Sequence, residues 1–296
     1  MVSDGCRSRR CRLPIPIIIC LTFTMIDLKR NSKKELVPAT GMRSRATSIY
    51  TPHQKDDFKI SRSKFSDFLT CPKCFYLDRV KGLDSPSTPG WTLNETTDLL
   101  LKKEFDVCRE AQIPHRLFKE NGLDHLVPFR HPDMDKWRDA LRHGLMSRFQ
   151  NSNIILAGGV DDIWQDTNDD RLVVVDYKSQ ANNKPLTPES YLADPYHEGY
   201  KVQMDFYAYL LQKMDFDVSE TAYFLVCNAD RGAEGFFGKM KFSETFIPYD
   251  WSSDWIPGKV SDMIDLINKT EVPEGNPSCK NCAYAKQRVA FEDIKT

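Results

Sequence analysis

Asp176 and Lys178 close the apolar run Leu172-Val173-Val174-Val175. In an extended strand residues i and i+2 share a face, so these two charges point one way and Tyr177 the other. Charges in such a place are costly to bury unless they are paired or bound to a metal. Asp161 lies near the end of the preceding apolar stretch, where a hairpin brings it alongside. Two carboxylates and an ammonium group that converge suit hydrolysis of a phosphodiester. Carboxylate oxygens hold a hard divalent cation, which lowers the pKa of a bound water and offsets charge building on the phosphate. The ammonium group orients that water or stabilises the developing charge. The competing reading is an Asp–Lys pair solvated at a strand end, and spacing alone leaves both open.

A second constellation is made of thiols. Of nine cysteines, four form two pairs at one spacing, Cys71-Pro72-Lys73-Cys74 and Cys279-Lys280-Asn281-Cys282. A CxxC pair fits two corners of a tetrahedral metal site or of a cluster, and two pairs complete a set of four. With 204 residues between Cys74 and Cys279, the set would be a clasp joining the two ends of a domain, and closing so long a loop removes much unfolded-chain entropy. Two unrelated thiol pairs, or disulfides in an oxidising compartment, remain the alternative. Cys108 and Cys227 are isolated and read as small buried hydrophobes.

The elements that must position these groups are both helical and extended. Ser61 or Ser63 can cap a short helix carrying Phe65, Phe68 and Leu69. Pro72 interrupts it, and a second turn runs on towards Gly82. Leu99 to Phe105 and Met134 to Phe149 read as helical. Asn153 to Trp164 and Arg171 to Lys178 read as two strands of a β-hairpin around the polar turn Gln165 to Asp170. A helix from Tyr200 to Met214, strands at Thr221 to Cys227 and Phe236 to Ile247, and a helix from Trp255 to Ile267 lead into the second cysteine pair. This is an α/β domain over residues 58–288, with a mixed central sheet flanked by helices and a tail at 289–296.

Composition sets outer limits. With 41% hydrophobic residues in a chain of 296 a large core is available, and global disorder is excluded. No apolar run reaches the roughly 18 residues of a membrane span. Residues 1–48 carry ten basic side chains against three acidic, whereas 49–296 carry 31 basic and 39 acidic. A body with that acidic excess does not rely on broad phosphate neutralisation, so any nucleic-acid contact needs a local basic patch or bound cations. Residues 1–57 read as an extension: a disordered tail, a targeting segment built on Arg7 to Arg12 and Leu13 to Ile26, or sequence upstream of a true start at Met25 or Met42. No Ser/His/Asp elbow, Walker loop or dinucleotide fingerprint is present, and the six histidines show no metal spacing. Trp164, Phe206 and Tyr209 read as core, not as a base-stacking platform.

Gly158-Gly159-Val160-Asp161 followed by Val174-Val175-Asp176-Tyr177-Lys178-Ser179 resembles the GxxD…DYK(T/S) signature of the PD-(D/E)XK nuclease superfamily, in its RecB-like branch. Three further segments resemble that branch in the same order: Ser61-Arg62-Ser63-Lys64-Phe65 with Cys71-Pro72 and Phe75-Tyr76, then Gln203-Met204-Asp205-Phe206-Tyr207 as its QxxxY helix, then Cys279, Cys282 and Tyr284. The pattern is similar to CRISPR-associated and AddB-type nucleases with a cysteine cluster, and it spans residues 58–288. It implies a restriction-endonuclease-like core. Asp161, Asp176 and the backbone carbonyl of Tyr177 would be ligands of Mg²⁺ or Mn²⁺, and Lys178 the catalytic lysine. Gln203 and Tyr207 would position DNA or the scissile phosphate, their spacing of four placing both on one helix face.

Two departures stand out. The branch places a metal-binding histidine after its first motif, where this chain has Leu93 to Leu100 and Asp98 occupies the place; Glu104 is a second candidate, and Asp98 also reads as an exposed helix residue. The cysteines divide two and two instead of one and three, which suits either a [4Fe–4S] cluster or a Zn²⁺ site on Cys71, Cys74, Cys279 and Cys282. The expectation is a metal-dependent deoxyribonuclease of the cytoplasm, outside membranes. It would act on single-stranded DNA or duplex ends in repair, recombination or CRISPR-type processing, with partner proteins of those pathways. A catalytically impaired scaffold with a structural clasp is the alternative, and RNA is a third reading that the same chemistry would serve.

Overall fold

Serine at a helix start accepts an amide hydrogen bond that the helix itself cannot satisfy, and Ser61 does so here, accepting from Lys64 N–H at 3.4 Å. The helix stops at Thr70 because Pro72 lacks an amide hydrogen, and the same proline then suits the first turn of the next helix. The computed structural model describes residues 28–86 and 90–293. The segment Leu13 to Ile26, Met25 and Cys6, Cys11 and Cys20 lie outside the described residues. The chain divides into two units, Met1–Thr40 and Gly41–Thr296. In the first, Arg30 and Leu36 form a short antiparallel bridge.

The second unit runs β1 (Phe58–Ser61), α1 (Arg62–Thr70), α2 (Pro72–Arg79), α3 (Thr92–Ala111), α4 (Arg116–Glu120), β2 (Leu126–Pro128) and α5 (Met134–Arg138). It continues through β3 (Leu145–Arg148), β4 (Ile154–Gly158), β5 (Asp162–Asp166), β6 (Leu172–Gln180), α6 (Pro188–Leu192) and α7 (Glu198–Lys213). β7 (Thr221–Ala229), β8 (Phe242–Asp250), α8 (Ile256–Ile267) and α9 (Lys280–Asp293) complete it. The larger sheet has the order β2-β5-β6-β7-β8, with β6 and β7 parallel and the other neighbours antiparallel. A smaller sheet has the order β1-β4-β3. This is an α/β fold of mixed sheets flanked by helices.

The alternation of β6 divides its side chains between two cores. Leu172 and Val174 join Phe65, Phe206, Leu210 and Ile247 on one face. Val173, Val175 and Tyr177 join Phe105, Phe118, Trp164 and Phe246 on the other. Burying each such side chain contributes on the order of 2 kcal/mol, which fixes the register of β6 and therefore the face on which Asp176 stands. Trp164, Phe206 and Tyr209 are buried, and so is Cys227.

Three segments differ from their sequence reading. Asn153 to Trp164 is not one strand but two in separate sheets, because Val160 N–H bonds Trp137 carbonyl at 3.1 Å instead of a neighbouring strand. The hairpin is β5–β6 alone. Met134 to Phe149 is helical only over Met134–Arg138; Gly144 then takes φ +85°, and Leu145–Arg148 pairs with β4. Strand β8 starts at Phe242, leaving Phe236 and Phe237 exposed in the preceding loop. Among the described residues no helix is long and apolar enough to cross a membrane.

Candidate active site and cysteine cluster

Asp161 stands in the break between β4 and β5, and its Oδ2 accepts the backbone N–H of Tyr177 at 2.9 Å. Asp176, wholly buried on β6, pairs with Lys178 Nζ two residues on. Gln203 of α7 donates from Nε2 to Asp176 Oδ1 and to the Tyr207 hydroxyl, the latter at 3.3 Å. The helix therefore presents both residues to the strand, as their spacing of four predicts. Gly158 makes room for this: a Cβ there would stand 2.5 Å from Tyr207 Cε1. Lys178 Nζ also lies 4.5 Å from the centre of the Tyr200 ring, a cation–π contact that steadies the ammonium.

Burial pushes the Asp176 carboxyl up to about 7, with Asp161 adding to the shift and Lys178 opposing it. For Lys178 burial acts against the ammonium, but Asp176 and Asp161 outweigh it and hold the group above the usual lysine value. Asp161 is tied to the residue next to Asp176 through the Tyr177 amide, and its charge adds to the rise of the Asp176 carboxyl. Two acidic groups brought to one place, one of them buried, form an oxygen-donor set suited to a hard divalent cation.

Asp98 is half-buried on α3, not exposed. Its Oδ2 pairs with Lys102 Nζ at 2.8 Å, one helical turn on, and the same ammonium reaches Asp161 Oδ1 at 3.7 Å. Asp98 Oδ1 is buried without a hydrogen-bond partner. Burial first, then Asp161, raises the Asp98 carboxyl against the pull of Lys102. Lys102 was legible only as the i+4 partner of Asp98 and was missed. Glu104 is engaged elsewhere, by Arg116 at 2.7 Å and His115 at 3.2 Å. His197 is packed between the rings of Tyr191 and Tyr200.

The opposite face of the hairpin anchors the site. Asp162, wholly buried, accepts from the Tyr177 hydroxyl at 2.7 Å, from Arg138 at 2.9 Å and from Arg109. Burial alone would raise its carboxyl; the two guanidinium groups more than reverse that and lower it. Arg109 sits on α3 and Arg138 on α5, and both also hold Asp106. The network ties α3, with Asp98 and Lys102, to the strands that carry Asp161 and Asp176.

The four cysteines meet. Among the described residues, Cys71, Cys74, Cys279 and Cys282 form the one group of metal-ligating atoms that all lie within 4.8 Å of one another. Sγ–Sγ separations are 3.7 Å for Cys71–Cys282, 3.6 Å for Cys74–Cys279 and 3.4 Å for Cys74–Cys282. The two pairs share one local geometry. Cys71 immediately precedes α2 and Cys279 precedes α9, with their carbonyls accepting from Phe75 and Ala283 N–H at 3.1 and 3.0 Å. Each pair thus lies at a helix N-terminus, whose dipole favours a thiolate, but burial and the neighbouring sulfurs raise the Cys74 and Cys282 thiols. Burial works against ionisation of Cys71, but hydrogen bonds from the backbone of Cys74 and Asn276 and from Cys282 and Cys279 lower its thiol to about 7. The donor set fits a thiophilic metal centre, and it clasps the α1–α2 corner to the C-terminal helix.

The model of the PD-(D/E)XK nuclease superfamily matches residues 59–287, which takes in every group described above from β1 to α9. The chain belongs to that superfamily. No individual curated protein matches it.

Proposed function

We propose that this protein is a divalent-cation-dependent nuclease that hydrolyses DNA by in-line attack of water. The observation that carries the reading is the convergence of Asp161 from the β4–β5 break, Asp176 and Lys178 from β6 and Gln203 from α7 on one largely buried corner. Asp161, Asp176 and the carbonyl of Tyr177 are the proposed ligands of Mg²⁺ or Mn²⁺; when bound, such a cation lowers the pKa of water and neutralises charge on the phosphate. Gln203 holds the Asp176 carboxylate in one rotamer, and Tyr207 holds Gln203. Lys178, stacked over Tyr200, orients the attacking water or stabilises the charge that grows on the phosphate oxygens. Repair, recombination or CRISPR-type processing in a reducing, cytoplasmic setting are the roles in keeping with the RecB-like motifs and with free, unbridged cysteines.

At the cysteine cluster we assign a single Zn²⁺ instead of a [4Fe–4S] cluster. Four thiolates at about 2.3 Å from one tetrahedral metal stand about 3.8 Å apart, near the three separations of 3.4 to 3.7 Å found here, with every pair within 4.8 Å. A cubane binds each thiolate to a different iron and splays them further. Metal analysis of protein purified without oxygen should give one zinc per chain and no iron; iron with acid-labile sulfide would contradict the assignment.

The nuclease reading is tested with labelled single-stranded DNA, duplex DNA and RNA in Mn²⁺ or Mg²⁺, with an EDTA control. DNA products that require the cation support it. Cleavage of RNA alone would redirect the substrate. No cleavage by folded protein would favour the second reading, a nuclease-fold binding or scaffold protein. That reading draws on one observation, the ammonium of Lys102 held between Asp98 and Asp161.

A further inference from the structure

The carboxylates of Asp98, Asp161 and Asp176 form two compartments with Asp161 between them. On one side Asp161 Oδ2 accepts the amide of Tyr177, the residue next to Asp176. On the other, Asp161 Oδ1 and Asp98 Oδ2 face the same ammonium, Lys102 Nζ, at 3.7 and 2.8 Å. The three carboxylates do not gather within the 4.8 Å that encloses the cysteine sulfurs. Lys102 is not a loose surface residue: its side chain is only 19% exposed. It also rides on the helix that Arg109 fastens to Asp162.

From this arrangement we propose that Lys102 takes the place of a second divalent cation, so that the active centre binds one such cation per chain. The inference rests on the nuclease reading of the Asp161–Asp176 compartment. Charge balance supports it. Three carboxylates against the ammoniums of Lys102 and Lys178 leave one negative charge; one divalent cation and one phosphodiester anion then bring the centre to neutrality. A second divalent cation beside the Lys102 ammonium would set two cationic groups against the same pair of carboxylates, Asp98 and Asp161, in a half-buried site, where their repulsion is costly. Asp98 Oδ1, buried and without a hydrogen-bond partner, leaves the Asp98 compartment with donor capacity beyond what Lys102 uses. That compartment should accept a cation once the ammonium is removed. Asp98 is accordingly the anchor of Lys102, and Lys102 a positioning residue that sets the stoichiometry.

The test is Mn²⁺ binding to the full chain with its cysteine site loaded, followed by calorimetry and by electron paramagnetic resonance. Mn²⁺ prefers oxygen donors and leaves the thiolate site alone. Wild type should bind one equivalent with the spectrum of an isolated ion. Lys102→Met should bind two, with spin coupling between neighbouring ions, and Lys102→Met combined with Asp98→Asn should return to one. Lys102→Gln serves as a second variant should Lys102→Met fail to fold. Two equivalents in wild type, or one in every folded Lys102 variant, would overturn the proposal while leaving the nuclease reading standing. No Mn²⁺ bound by folded wild type would overturn both.

Discussion

Lys178 and Asp176 show what the alternation of one strand can do. Three valines and a leucine bury β6 on both faces, and of the two charges that end the run Asp176 is carried below the surface while Lys178 stays partly exposed beside it. Buried without a cation, Asp176 holds its proton up to about 7. The sign of the consequence follows. Between the ordinary carboxylate value and about 7 the folded state binds more protons at Asp176 than the unfolded chain does, so this group's contribution to stability falls as pH rises. On the proposed ligand set a divalent cation has to displace that proton. Mn²⁺ affinity at the Asp161–Asp176 compartment should therefore rise by up to about tenfold per pH unit and level off above neutrality. Titration calorimetry between pH 5 and 8 measures this; affinity independent of pH would show that Asp176 is not a ligand. The chemistry of these residues was legible because period 2 in a strand and period 3.6 in a helix both place chemically matched groups on one face. Lys102 was not, because an i+4 Asp–Lys pair on a helix is the commonest of surface pairings. Only the fold reveals that this one faces Asp161.

At the scale of elements, the helix that carries Asp98 is held by charges on the far side of the hairpin. Asp162 stands between Arg109 and Arg138 with no exposure to solvent. Removing one partner of such a group leaves uncompensated buried charge. Asp162→Asn should cost about 3 kcal/mol or more in denaturant unfolding and loosen α3; a loss under about 1 kcal/mol would mean that the arginines find other partners. The clasp makes a contrasting case. Helix α9 buries no residue of its own, so the thiolate site is what secures its start. Cys279→Ser, or treatment with a chelator of the proposed metal, should loosen α9 and speed tryptic cleavage at its surface residues Lys286 and Arg288 while β6 and α7 keep their hydrogen-exchange protection. Unchanged proteolysis would show that α9 is held by something else. The two CxxC pairs were readable from spacing. The course of the chain from 134 to 161 was not, since the left-handed turn at Gly144 and the Val160–Trp137 hydrogen bond depend on tertiary partners that no local pattern announces.

Over the whole molecule, the superfamily match and the two converging sites account for most of the chain from 59 to 287. The acidic excess of residues 49–296 fits a centre that recruits cations to meet a phosphate, not one that offers a broad basic surface. Motif order across more than two hundred residues was enough to indicate the fold, because the two cysteine pairs must meet at one site and the motifs of Asp161, Asp176 and Gln203 must return to one corner. This corner is proposed to cut phosphodiester bonds through Asp176 and Lys178. The deciding measurement is the single-turnover cleavage rate of end-labelled single-stranded DNA in saturating Mn²⁺, wild type against Lys178→Ala, with folding of both checked by thermal unfolding. Wild type should cleave, and the variant should be slower by about a hundredfold or more. Equal rates in the two proteins, or no cation-dependent cleavage by folded wild type, would rule that role out.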